Sequence, residues 1–545
     1  MAPAAYEQED TRLPVTLLSG FLGAGKTTLL EKILTDTNHG FRVGVIVNDV
    51  GALNIDAALL TSHDVTRKEE SIVAMQNGCI CCTLRGDLLE EVARLAEDKK
   101  VDYLVIESSG VSEPMQVAET FSPEFAAMHE AAGEDLETEN SSDPSQKRLV
   151  EILKAGGLSR VARLDTCVTV VDAVNFMNDF ATPDFLVDRQ GEVPEEDDRN
   201  ISDLQVDQVE FADVLIVNKC DMVSKDEVNS ITSVIRKLNP GAKCMATAMK
   251  KSTFDLSAIL DTRLFSYGKA ALGAGWLKSL TEEINPETEE YGIGTMVYRA
   301  RRPFHPARLW TMCKNVFVII QQSYEVDEDE MDVDDATSEE SDGSDEDEEF
   351  EIIDKVQDEG IAMNVDEQPQ LDPKARLAAK MASATFAPLL RSKGFLWLAT
   401  RPKYYGEWSQ AGVMLTISGG ELWRCEVDES EWPQDQEHHK ILEKDFQGEW
   451  GDRRQEIVFI GQKMRSGGEK RLRDALDSCL LDDQEFHAWE EAMRSENTQE
   501  KLEELFEDGF EDWIDEVLAN MHGDEDGDSH NHGHHHHAGH RHGHA

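Results

Sequence analysis

One stretch constrains this chain more than any other. An apolar run at 13–18 leads into Gly20-x-x-x-x-Gly25-Lys26-Thr27, and a helix-like run at 26–34 follows at once. Strand, glycine-rich turn and helix in that order form the context of a phosphate-binding loop. At such a turn, glycines such as Gly20, Gly23 and Gly25 let backbone N–H groups close around phosphate oxygens. The start of the helix adds positive potential. In this arrangement Lys26 is expected to reach the β- and γ-phosphates, the Thr27 hydroxyl to ligate Mg²⁺, and Thr28 to lie on the α-phosphate side.

Two further stretches narrow the ligand. A buried strand at 214–217 leads into Asn218-Lys219-x-Asp221. A carboxylate at Asp221 can accept from the N1–H and the exocyclic amine of guanine. Adenine offers neither in that geometry, so the expected nucleotide is GTP. A third strand, at 101–106, ends at Glu107, and Gly110 comes three residues later. An acidic residue there holds Mg²⁺ through water, and a glycine N–H at Gly110 can address the γ-phosphate, so the loop senses whether that phosphate is present. Lys26, Thr27, Glu107 and Gly110 are the candidate catalytic group, and Gly20–Thr28 with Asn218, Lys219 and Asp221 the nucleotide site.

The first 260 residues alternate apolar runs (13–18, 43–47, 101–106, 166–171, 214–217) with helix-like stretches (26–34, 88–96), the pattern of a parallel α/β sheet. Strands are expected again at 296–298, 316–320, 394–399 and 457–460, with helices at 306–316 and 466–480. The expected fold class is therefore α/β: a P-loop GTPase domain with a mainly parallel sheet (1–290), then a smaller α+β C-terminal domain (291–495). A helical extension (496–522) and a His-rich flexible tail (523–545) follow. A disordered acidic insertion at 324–373 interrupts the second domain. Between Glu325 and Asp354 there are eighteen Asp or Glu and no Lys or Arg, too little apolar surface to fold alone. Ser338, Ser341 and Ser344 lie among these carboxylates as candidate phosphorylation sites. Trp310, Trp397, Trp408 and Trp423 are read as packing rather than as a cofactor box.

A net charge of −56 argues against nucleic acid as a partner. There is no apolar run long enough to span a membrane and no leader-like start, so a cytoplasmic protein is expected. The oligomeric state is left open.

Cys79, Cys81 and Cys82 crowd three of nine thiols into four residues. A redox pair does not suit the spacing, and incidental packing does not explain the crowding. A metal site does, because thiolates select borderline or soft ions such as Zn²⁺. Cys79 and Cys81 can face the same way in an extended chain, and Cys82 falls at a helix start, where a thiol pKa is lowered. Tetrahedral Zn²⁺ would still lack a ligand, which water, a partner's side chain, Asp49 or His63 could supply. The nine histidines from His530 onward can chelate Zn²⁺ loosely, as a loading or buffering arm.

P-loop, C-I-C-C, E-S-S-G and N-K-x-D in this order resemble the CobW family of metal-handling P-loop GTPases. The segment at 299–310 is similar to the opening of the family's C-terminal domain, and those at 391–402, 407–412 and 450–461 to its low-zinc-induced branch, as is the Asn48–Leu60 stretch containing Asp49. The resemblance implies that GTP binding and hydrolysis drive metal insertion, most often of zinc. It implies Cys79, Cys81 and Cys82 as metal ligands, Asp49 as a residue of metal binding or switching, and zinc-dependent client apo-proteins as partners. The leading expectation is a GTP-driven zinc chaperone. The alternatives are a zinc buffer with a regulatory GTPase, or the same enzyme carrying cobalt or another metal.

Overall fold

Runs of β-branched residues become parallel strands here because both of their faces can be covered. A computed structural model of the protein describes residues 10–47, 65–67, 81–123, 125, 152, 154, 156–189, 199–248, 254–272, 292–321, 372–428, 432, 445–511 and 513. The first sheet contains β1 (Leu13–Ser19), β2 (Val43–Val47), β3 (Val65–Arg67), β4 (Tyr103–Glu107), β5 (Ala162–Asp172), β6 (Val214–Asn218) and β7 (Lys243–Ala246). Their order is β3-β2-β4-β1-β5-β6-β7, and every pairing is parallel. The chain moves outward on one side of β1 and then crosses to the other. The C-terminal end of β1 is thus the point where strand order reverses, the place open α/β sheets keep for ligands.

The second sheet contains β8 (Ile293–Ala300), β9 (Val318–Gln321), β10 (Leu389–Leu396), β11 (Tyr404–Ala411), β12 (Met414–Leu422) and β13 (Gln455–Gln462). The order is β8-β13-β10-β11-β12-β9, antiparallel except for the β12–β9 pair. Trp408, Leu396, Phe459 and Tyr298 fill the core on one face. Trp397, Trp423 and Trp489 form a second cluster. The tryptophans singled out in the sequence are packing residues: Trp397, Trp408 and Trp423 are buried, and Trp310 stacks edge-on against Phe510.

Several elements differ from expectation. The strand expected at 394–399 runs instead from Leu389 to Leu396. It stops because the Trp397 N–H donates to the side chain of Gln455, at the start of β13, and not to a backbone carbonyl of that strand. The helix expected at 466–480 begins only at Glu469, because Gly467 takes a φ of 93° that no right-handed helix continues. In the extension, the helix is Thr498–Leu505; beyond it Phe510 and Trp513 are buried in the second core. β3, β7, β11 and β12 were not anticipated; β7 is an edge strand with no buried residue, and β11 and β12 mix polar and apolar residues.

Of the acidic stretch only Asp372 and Pro373 are described, where the Asp372 carboxylate caps the helix Pro373–Ala382. The rest of that stretch, with its three serines, and the His-rich tail lie outside the described residues. Among the described residues no helix is long and apolar enough to cross a membrane.

Candidate functional site

The site is built at the edge where the first sheet's strands end. β1 gives way to the turn at 20–25 and then to the helix Lys26–Thr35. Lys26 folds back over this turn, its Nζ donating to the Gly20 carbonyl at 2.6 Å and to the Phe21 carbonyl at 3.4 Å. Its ammonium therefore lies inside the curve that the glycines trace. Gly25 has a φ of 111°, and a Cβ there would come within 2.4 Å of Asn218 Nδ2. That nitrogen donates to the Ala24 carbonyl at 2.9 Å. The first residue of the N-K-x-D stretch thus supports the phosphate turn from beneath, and only a glycine leaves room for it.

Lys219 follows with a φ of 62°, and its Nζ pairs with Asp172 at 2.7 Å. Asp172 ends β5 level with Asn218 on β6, so the sheet register sets this contact. Thr247, just past β7, donates its N–H to the Val217 carbonyl at 2.7 Å and accepts from the Cys220 N–H at 3.1 Å. The loop after β7 is therefore stitched to the N-K-x-D loop, and Asp221 is exposed beside it. Burial raises the Cys220 thiol above its ordinary range, so it remains protonated at neutral pH.

Glu107 closes β4, level with Leu18 of β1 and Val47 of β2. It is buried and accepts from the Thr27 hydroxyl at 3.0 Å. Ser108 anchors the next step by donating both its N–H and its Oγ to the Leu18 carbonyl. Gly110 then lies against the phosphate turn: a Cβ would meet Leu22 Cδ2 at 2.6 Å and Leu22 N at 2.9 Å. The structure therefore brings together Gly20, Gly23, Gly25, Lys26, Thr27, Thr28, Glu107, Gly110, Asn218, Lys219 and Asp221 at one edge.

The thiols are only partly in view. Cys81 and Cys82 are the first two residues of the helix Cys81–Asp98. That helix feeds β4, which starts at the opposite edge of the sheet. Its 18 residues span about 27 Å, and β4 then runs on to Glu107. Cys81 is already helical, and the expectation that Cys79 and Cys81 share one side of an extended chain involves Cys79, which lies outside the described residues. Cys79, Asp49 and His63 lie outside the described residues. Among the described residues no group of three or more His, Cys, Asp or Glu could hold a metal ion. The other six cysteines are free thiols.

Sequence reasoning missed the supports of this site. Asp172 and Thr247 carry no motif. Gln205 and Gln208 sit three apart in a helix whose other buried residues are Ile201, Ser202, Leu204, Val206 and Val209. Two glutamines among mostly apolar inward positions were the available signal.

The family model for the CobW/HypB/UreG nucleotide-binding domain matches residues 14–140 and 136–246. The model for the cobalamin synthesis protein cobW C-terminal domain matches 362–480. A zinc-regulated GTPase metalloprotein activator 1 from Dictyostelium discoideum is 36% identical over 483 residues, covering 87% of this chain and 81% of that protein. The chain belongs to the CobW family. A protein of the same name from Schizosaccharomyces pombe is 32% identical over 258 residues, 47% of this chain and 50% of that protein. A zinc chaperone CobW from a Sinorhizobium species is 29% identical over 236 residues, 41% of this chain and 57% of that protein. As a CobW-family protein the chain is a P-loop GTPase.

Proposed function

We propose that this CobW-family GTPase is a zinc chaperone, in which GTP binding and hydrolysis gate the release of zinc from Cys79, Cys81 and Cys82 to client apo-proteins. The observation that carries the reading is topological. The helix headed by Cys81 and Cys82 leads directly into β4, the strand that ends in Glu107. The names of the relatives, zinc-regulated GTPase metalloprotein activator and zinc chaperone, point the same way.

In this reading Lys26 binds the β- and γ-phosphates and Asp221 selects guanine. Thr27 Oγ1 and Glu107 Oε1, 3.0 Å apart, are oxygen donors of the kind Mg²⁺ takes, one directly and one through water. The ion would neutralise charge on the β- and γ-oxygens. The Gly110 N–H would address the γ-phosphate, so that the adjoining loops differ between the GTP and GDP states. Zinc is the cargo, and Asp49 is the residue of this chain we assign as its further ligand. By linkage, zinc and GTP must change one another's affinity by one and the same factor.

The test is zinc affinity measured with GDP and with a non-hydrolysable GTP analogue. Different affinities, with Cys81→Ser weakening zinc binding and leaving nucleotide binding intact, support gated release. Equal affinities in the two states sink it.

A further inference from the structure

The turn that carries Gly110 is held from outside the nucleotide motifs. Three successive carbonyls, those of Gly110, Val111 and Ser112, accept hydrogen bonds from two side chains of one segment. Gln208 Nε2 donates to Gly110 and Ser112 at 3.2 Å each, and Arg199 Nη1 donates to Val111 at 2.9 Å. Gln208 is 1% exposed, so water cannot replace its amide without opening the core.

The helix bearing Gln208, Ile201–Glu210, is fixed at both ends. The Asn200 side chain accepts from the Asp203 N–H at 2.8 Å. Asn239 Nδ2 donates to the carbonyls of Val209, Glu210 and Ala212 at 2.8 to 2.9 Å. Thr169 Oγ1 also donates to the Gln208 carbonyl at 2.7 Å. Such a helix moves as one piece.

Its other face meets the second sheet. Asp203, Asp207 and Glu210 fall on one face at helical spacing, turned roughly away from Gln208. Opposite them is Arg391 of β10, 1% exposed. Its Nη1 lies 3.5 Å from Asp203 Oδ1 and its Nε 3.6 Å from Glu210 Oε1. The same guanidinium donates to Ser409 Oγ at 2.9 Å and to the Gln410 carbonyl at 3.2 Å. Arg391 thus ties β10 and β11 to the helix that holds the Gly110 turn.

We propose that Gln208 is a positioning residue for GTP hydrolysis and that Arg391 acts through it, so that the seating of the second sheet on the Ile201–Glu210 helix sets the geometry of the Gly110 turn. This rests on the reading that Gly110 addresses the γ-phosphate. GDP has no γ-phosphate, so disturbing the support lowers kcat and leaves GDP affinity alone. A client or partner that presses on the second sheet would act on turnover by the same route.

The experiment measures GTP turnover, GDP affinity and melting temperature on the full chain. The variants are Gln208→Met, which keeps the size and removes the donors, Arg391→Met, the double variant, and Arg391→Lys. The expected result for Gln208→Met is a kcat lower by about tenfold or more, with GDP affinity within about twofold of the parent. Arg391→Met lowers kcat too, Arg391→Lys recovers part of it, and the double variant is no slower than Gln208→Met alone, as expected of residues on one path. An unchanged kcat in Gln208→Met overturns the positioning role. Losses that multiply in the double variant overturn the path through Gln208.

Hydrogen exchange at the 110–112 amides of Arg391→Met gives a second readout that does not need Gln208→Met to fold. Faster exchange than in the parent supports the proposal, and unchanged exchange overturns it. Gly110→Ala separates the two layers. Full turnover there sinks the γ-phosphate reading itself. Lost turnover there, with Gln208→Met unimpaired, sinks only the inference drawn from Gln208.

Discussion

The two sheets bury themselves differently. In the first, every residue of β2, β4 and β6 is buried, because helices cover both faces. Only the edge where the strands end remains for chemistry, and there the loops after β1, β4, β5, β6 and β7 meet. The second sheet is closed on one side. β10 and β11 mix buried and part-exposed residues, and Phe395, Tyr405 and Trp423 line an open groove of about 450 Å³ on the other face. Arg454 lies 4.7 Å over the Phe395 ring there. A substitution in the first sheet's edge loops should therefore report on chemistry, and one in the second sheet's own core, away from Arg391, on stability.

The sharpest way to break that division is Trp408→Ala. Trp408 is 2% exposed and donates to Ser392 Oγ at 2.8 Å. Its removal leaves a cavity and takes away a donor to the Ser392 hydroxyl, which keeps its own bond to Gln410 Oε1, at a cost of about 3–5 kcal/mol. Melting should fall by the corresponding amount while GDP affinity holds. A parallel loss of GDP affinity would mean that the two sheets are one cooperative unit.

Lys26→Ala is the converse. Removing the ammonium from the phosphate cradle should cut kcat/KM by about 10²–10³-fold, the scale of a lost charge-stabilising donor. The melting temperature without nucleotide should move little. Phosphate release and a thermal melt check both halves.

Asn218→Ala sharpens the picture within the first edge. It removes the donor to the Ala24 carbonyl and leaves that acceptor unpaired, worth about 1–2 kcal/mol. Weaker binding of GTP and GDP alike is expected, because the phosphate turn is loosened whichever nucleotide it holds.

The smallest effect concerns the seam between the sheets. Burial pushes the Asp207 carboxyl up to about 7, with the charges of Asp203 and Glu210 adding to the rise and Arg391 and Lys393 opposing it. Burial likewise raises Asp203 and Glu210. A carboxyl raised in the folded state binds a proton that the unfolded chain has released. Its contribution is therefore present at low pH and is lost as pH rises from the ordinary aspartate range through about 7. Asp207→Asn, which cannot ionise, should raise the melting temperature at pH 8 relative to the parent and narrow the difference between pH 6 and pH 8. An unchanged pH dependence would place the seam's titration elsewhere.

The phosphate turn was legible in the sequence because its conformation is dictated locally. Gly20, Gly25 and Lys26 lie within a few residues of one another, and their spacing carries the geometry. The strands at 43–47 and 214–217 were legible for a similar reason, since a fully buried parallel strand is a continuous β-branched run. β11 and β12 were not, because each carries three polar residues and the alternation is broken by Gly406, Gly419 and Gly420. The start of the Cys81–Asp98 helix was legible to within one residue, at Cys82.

The sequence by itself determined the order of parts: a P-loop turn, an acidic strand end with a glycine beyond it, an N-K-x-D loop, and crowded thiols between the first two. Tertiary structure alone decided what holds those parts in place. Asn218 reaches Ala24 across 194 residues, Gln208 reaches Gly110 across 98, and Arg391 reaches Asp203 across 188. Such contacts leave no local signature, because a side-chain donor finds its distant carbonyl only after strand register and helix packing have brought the two together.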